Sequence, residues 1–330
     1  MARIGVFAAL LLIGISASGA KASTVFVADE EGGSVTIIET QSGRSTRIEI
    51  PISPHNVDLT PDGKRLLATG VGGEHAGHAA HRAPIGQLVV MDFSEEGSTT
   101  RTVQVGGHPA HVVADAEGRF AYVTDADTNS VLVVDLHEMS VAARIPVGSY
   151  PHGLRLSPDG RTLAVANMKS GTVSLVDTVE RKRAADVEVG RRPVQVGFDP
   201  SGRSLVVSLN GENKIGVVDV ASRKLSWKTE VGRGPVQVIV TPDGKSALVA
   251  NQGVINKPDD RLSVVSLSTR KSVATVRVGK GAHGVALTPD GTTAYVTNTY
   301  ADTVSAVDLE TLSVTSTYAT GKAPNGITVR

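Results

Sequence analysis

An all-β fold, a closed ring of seven four-stranded antiparallel blades, is what this sequence predicts. Three observations predict it: a turn motif recurring with a period of 42 residues, period-2 alternation of apolar and polar residues within each period, and chain ends that carry complementary parts of one repeat. The turn motif is Pro-Asp-Gly or a variant, with its glycine at Gly63, Gly118, Gly160, Gly202, Gly244 and Gly291, at steps of 55, 42, 42, 42 and 47 residues. The longer steps mark insertions of 13 and 5 residues. With those and the first 22 residues set aside, the chain holds close to seven units.

The unit from Gly279 to Gly321 shows what each repeat contains. A short alternating segment, Gly284-Val285-Ala286-Leu287, leads into the turn Thr288-Pro289-Asp290-Gly291 and then the strand Ala294-Tyr295-Val296-Thr297-Asn298. A second turn opens the strand Thr303 to Asp308, and Glu310-Thr311 turns into a fourth strand that ends before Gly321. Such a unit buries its faces only against its neighbours around a ring, which makes the predicted architecture a β-propeller. Period-2 patterning excludes a helical solenoid. At the ends, Asn325 to Val329 reads as a lone innermost strand, whereas Thr24 to Asp29 reads as a second strand. Pairing the two completes a blade and hides edges that an open sheet would expose.

Composition agrees and narrows function. Aromatics are 3% and glycines number 35, which suits short strands and many turns. Lys+Arg and Asp+Glu balance at 33 each, so neither a broad basic face for nucleic acid nor an acidic tail is expected. With no cysteine, the chain has no disulfide, thiolate nucleophile or Cys-ligated metal; any metal site must use His, carboxylate or backbone oxygen. At the N-terminus a short basic start, the apolar run Ile4 to Ile15 and the small-residue stretch ending at Ala20-Lys21-Ala22 read as a secretory signal. The expected division is therefore residues 1–22 as a cleaved signal and 23–330 as the propeller. The run is too short to span a bilayer, and no cysteine follows it to carry a lipid, so no membrane anchor is expected. A periplasmic location is expected, with secretion as the alternative.

The motif Tyr295-Val296-Thr297-Asn298, varied as Tyr122-Val123-Thr124-Asp125 and Leu248-Val249-Ala250-Asn251, resembles the bacterial YVTN-repeat β-propellers. The resemblance covers everything after the signal and implies the same fold; the family's roles are diverse, so it implies little about activity. The motif residues themselves read as structural, with branched and aromatic residues packing the blade and the Asx side chain bonding turn backbone.

The histidines carry the functional signal. Nine residues upstream of the turn glycine stand Pro54, Pro109, Pro151, Pro193, Pro235 and Ala282, with Pro324 matched by its flanking pattern. The next residue is His55, Ala110, His152, Val194, Val236, His283 and Asn325, at the mouth of the axial channel. With roughly 51° between blades of a sevenfold ring, the three histidines surround the axis. His111 lies one residue further along and His108 just before that strand, while the 13-residue insertion adds His75, His78 and His81 on the same rim. Clustered imidazoles bind Zn²⁺, Cu²⁺, Ni²⁺ or Fe, with Zn or Cu favoured. On the same rim Arg192, Arg233, Lys280 and Lys322 offer an anionic small molecule, or an anion completing the metal's coordination, a place to dock. The first expectation is thus an exported metal carrier, buffer or sensor. No carboxylate pair or nucleophile motif stands out, so an enzyme, a metal-dependent lyase or hydrolase acting on an anionic small molecule, is the alternative, and a scaffold for another exported protein is a third.

Overall fold

The computed structural model describes residues 23–72, 85–93 and 99–330. These form seven sheets, each of four antiparallel strands in meander order. Counted by innermost strand, the first blade runs from Ile52–Leu59 outward through Arg65–Gly72 and Ile85–Asp92 to Thr99–Gln104. The innermost strands of the next five are Pro109–Ala114, Pro151–Leu156, Pro193–Phe198, Pro235–Val240 and Ala282–Leu287. The seventh blade is the predicted composite: Pro324–Val329 pairs with Thr24–Asp29, followed by Ser34–Glu39 and Arg44–Glu49. The expected secretory signal (1–22) lies outside the described residues, as do His75, His78 and His81. No helix among the described residues is long and apolar enough to cross a membrane.

Why these segments are strands is visible in their burial. Second and third strands, such as Val131, Leu132, Val133 and Val134, are buried on both faces because a blade is covered by neighbours on either side. Fourth strands face solvent, and Arg44–Glu49 is exposed at nearly every position. The core consequently lies between blades. Leu67 and Leu88 of the first blade pack with Val112, Val123 and Leu132 of the second. Val and Leu dominate because aligned sheets leave narrow gaps that branched aliphatic chains fill without large rings.

The Pro-Asp-Gly turns form as local chemistry requires. In Thr288 to Thr293 the threonine hydroxyl donates to Asp290 Oδ1 at 2.7 Å, the Gly291 N–H donates to the Thr288 carbonyl at 2.8 Å, and Gly291 takes the left-handed φ of +71° that residues with a Cβ rarely adopt. The five-residue insertion lengthens the central hairpin of the fifth blade, Ser246–Val254 and Lys257–Ser266.

Candidate metal centre

Each innermost strand breaks register where it enters the channel. The breaks lie between Pro54 and Asn56, Pro109 and Val112, Pro151 and Leu154, and Ala282 and Val285, so His55, His111, His152 and His283 all sit in unpaired backbone. Such bulges re-aim a side chain, here around the axis. The third motif residue stabilises them. Thr297 Oγ1 accepts the Gly284 N–H at 2.6 Å and donates to the Asn325 carbonyl of the next blade at 2.8 Å. Thr124 likewise accepts from the His111 N–H at 3.0 Å and donates to the His152 carbonyl at 2.7 Å. The hydroxyls therefore pin one blade's histidine slot to the next. The motif's threonine does more than the packing expected of it.

His55, His111 and His152 each offer a ligand atom, and these atoms lie within 4.8 Å of one another. Ring centroids are 5.6 Å apart for His55 and His111, 5.1 Å for His55 and His152, and 5.0 Å for His111 and His152. His283 borders the group with its ring 6.3 Å from that of His55. The four imidazoles from blades one, two, three and six do meet at one end of the channel. His108 is not brought to them: it is exposed in the loop before its strand, 6.1 Å from the Tyr150 ring.

The hydrogen bonds decide which nitrogens are available. His55 Nδ1 is 3.0 Å from Glu30 Oε1, and His152 Nδ1 is 3.2 Å from the Val194 carbonyl. An ionised carboxylate and a carbonyl only accept, so both Nδ1 atoms must donate, which leaves a lone pair on each Nε2 of the neutral rings. Those two Nε2 atoms face each other at 3.2 Å. His111 differs: the Gln195 amide, oriented by its Oε1 accepting from the Val196 N–H at 2.9 Å, donates to His111 Nδ1 at 3.3 Å. His283 Nδ1 and Asn325 Oδ1 are buried without a hydrogen-bond partner among the described residues.

Electrostatics point the same way. Burial and the charge of neighbouring imidazolium push His152 and His283 down to about 3 and His111 well below the ordinary imidazole range. Burial opposes protonation of His55 too, but the Glu30 carboxylate outweighs it and raises that ring. Burial would raise the Glu30 carboxyl; the charge and hydrogen bond of His55 and the Asn325 amide instead hold it at about 2. Burial thus favours neutral imidazole at His111, His152 and His283, the form that binds metal.

Three residues down the innermost strands from His55 and His152 lie Asp58 and Arg155, both half-buried. Asp58 accepts from the Ala114 N–H at 3.2 Å and Arg155 donates to the Leu154 carbonyl at 2.8 Å. Of the rim cations, the Arg233 backbone N–H donates to Asp259 and its guanidinium to the Pro258 carbonyl. Arg192, Lys280 and Lys322 are exposed in the loops before the innermost strands. Lys280 and Arg233 line a cleft that also contains Asp259 and Asp260, so its field is mixed in sign. Sequence reasoning passed over Glu30 and Gln195. The signal for Glu30 was its place directly after the Asx that ends a second strand, where the other blades carry Ala126, Met168, Gln252 and Thr299.

Residues 182–330 match the family model of YNCE-like beta-propellers, and residues 84–184 that of the lactonase seven-bladed beta-propeller. Among curated proteins none matches the chain. Among solved structures, hydrazine synthase of Kuenenia stuttgartiensis superposes with a TM-score of 0.70 at 21% identity over 83% of this chain and 89% of that one. A functionally unknown protein from Desulfotomaculum acetoxidans superposes with a TM-score of 0.75 at 16% identity, over 93% and 98% of the two chains. At such identities the likeness is one of fold. The chain is a seven-bladed β-propeller, and each of the two family models covers less than half of it.

Proposed function

We propose that this propeller binds a single transition-metal ion at the mouth of its channel, through His55, His111 and His152 with His283 alongside, and serves outside the cytoplasm as a metal carrier, buffer or sensor. The observation that carries this reading is the pair of Nε2 atoms 3.2 Å apart, each turned to its partner by an Nδ1 committed to an acceptor. Two lone pairs so placed repel unless a cation lies between them. A metal ion bound by both nitrogens supplies that cation. Three neutral imidazoles suit Zn²⁺ or Cu²⁺. At His111 the metal must displace either the Gln195 amide from Nδ1 or the proton from Nε2.

Binding is favoured over catalysis because, among the described residues, the carboxylate that touches the cluster serves as acceptor to His55 through Oε1 and to Asn325 through Oε2. Elemental analysis and zinc titration of the purified protein test the reading. One equivalent is expected per chain, lost in a His55→Ala, His111→Ala, His152→Ala variant and retained in His108→Ala. Absence of bound metal from wild type under titration, or full metal content in the triple variant, would sink it.

A further inference from the structure

Glu30 and Asn325 come from opposite ends of the chain and meet only because the ring closes. Glu30 follows the strand Thr24–Asp29, and Asn325 is the second residue of Pro324–Val329; the two strands pair within the seventh blade. Asn325 is buried and donates through Nδ2 to Glu30 Oε2. The other carboxylate oxygen takes the Nδ1–H of His55 at 3.0 Å, which sets the tautomer and aims Nε2 at His152. Where other blades place Ala126, Met168, Gln252 or Thr299, none is an ionisable acceptor. An acid stands at this position only in the blade that borders His55.

We propose that Glu30, held by Asn325, is the positioning residue of the metal centre and that the centre is thereby coupled to closure of the ring. The inference rests on the metal-binding reading above for its affinity consequence, but the tautomer it assigns belongs to the metal-free protein as well. Metal-bound imidazoles characteristically donate their second N–H to a carboxylate or carbonyl, and loss of such a partner weakens binding 10–100-fold. Glu30 supplies that partner to His55 as the Val194 carbonyl does to His152. Because the carboxylate is itself tied to the C-terminal strand, tightening His55 onto a metal also tightens the seam between Thr24–Asp29 and Pro324–Val329.

The test uses the full-length protein and the variants Glu30→Gln, Glu30→Ala and Asn325→Ala. Zinc competition against a chelator is expected to show 10–100-fold weaker binding in Glu30→Ala with stoichiometry unchanged, and a smaller loss in Glu30→Gln, whose amide oxygen still accepts and whose shape keeps the fold. Ring ¹⁵N correlation spectra of the metal-free protein are expected to show His55 protonated at Nδ1 in wild type and shifted toward the Nε2–H form in Glu30→Ala. Hydrogen exchange is expected to slow in both seam strands when zinc binds wild type, with the slowing reduced in Glu30→Ala. Wild-type zinc affinity in Glu30→Ala, or an unchanged His55 ring spectrum, would overturn the assignment. If wild type binds no zinc while the His55 tautomer still switches in Glu30→Ala, the metal reading fails and the positioning role stands.

Discussion

Asp259, its side chain 1% exposed, shows how one residue's environment sets a testable energy. Arg261 donates Nε to Oδ1 at 2.6 Å and its second arm to Oδ2, the Arg233 N–H donates to Oδ2 at 2.8 Å, and the Asp260 N–H to Oδ1 at 2.9 Å. Burial pushes this carboxyl up, but the Arg261 and Arg233 bonds outweigh it and hold it below the usual carboxylate range. A depressed folded pKa stabilises above the unfolded value and is lost as pH falls through the folded one. Asp259→Asn should therefore cost about 1–3 kcal/mol at neutral pH, by leaving charged donors poorly paired. In urea titrations that difference should persist down to about pH 4 and shrink only below it; a difference already shrinking near pH 6 would show that another group is responsible. At the same scale, His55, His152 and His283 were legible because each follows the same position in a counted repeat, and His111 because it stands one step away. Glu30 was not, because its partner Asn325 lies 295 positions along the chain and the contact exists only after the ring closes.

In the second, sixth and seventh blades the Asx that ends the second strand clamps the loop that enters the innermost strand. Asn298 Oδ1 accepts the Gly279 N–H at 2.9 Å while its Nδ2 donates to Thr303 and Ser305 at 3.0 and 2.9 Å. A Cβ on Gly279 would lie 2.5 Å from Asn298 Cγ, so the glycine is required by its partner. Gly160 has a positive φ with nothing within 4 Å of an added Cβ, so alanine there meets only backbone strain. Thermal unfolding should rank the two: about 1–2 kcal/mol lost in Gly160→Ala, and about 1–3 kcal/mol in Gly279→Ala, with loosening of the His283 slot as well. If Gly160→Ala proves the costlier, the clamp is not what constrains the loop. The fourth blade lacks such an Asx: the residue in register, opposite Pro193, is Leu209, and Asn210 opens a short 3-10 turn. Glu212 takes over the missing function, accepting the Arg191 N–H at 2.7 Å and pairing with Lys228. Counting from glycine could not show that a longer side chain from the next turn would replace the clamp.

The whole molecule is stabilised by contacts between blades, so cooperativity depends on an unbroken ring. Leu132, buried between the first two blades, should cost about 2–5 kcal/mol when cut to alanine, with the effect read as a shift of a single unfolding transition. Truncation after Gly321 removes the strand that pairs with Val25, Phe26 and Val27 and leaves the edge of Thr24–Asp29 open. It should convert that transition to a broader one and promote self-association, seen by calorimetry and light scattering; a sharp transition in a monodisperse truncated protein would refute the closure argument. The sequence alone determined the blade count, the strand order, the composite seventh blade and the clustering of imidazoles at one end of the channel, because these follow from local periodicity repeated around a ring. Only the tertiary structure decided which nitrogens face one another, which acid orients His55 and which histidine stands aside, because those outcomes depend on ångström-scale placement of side chains from blades that are remote along the chain.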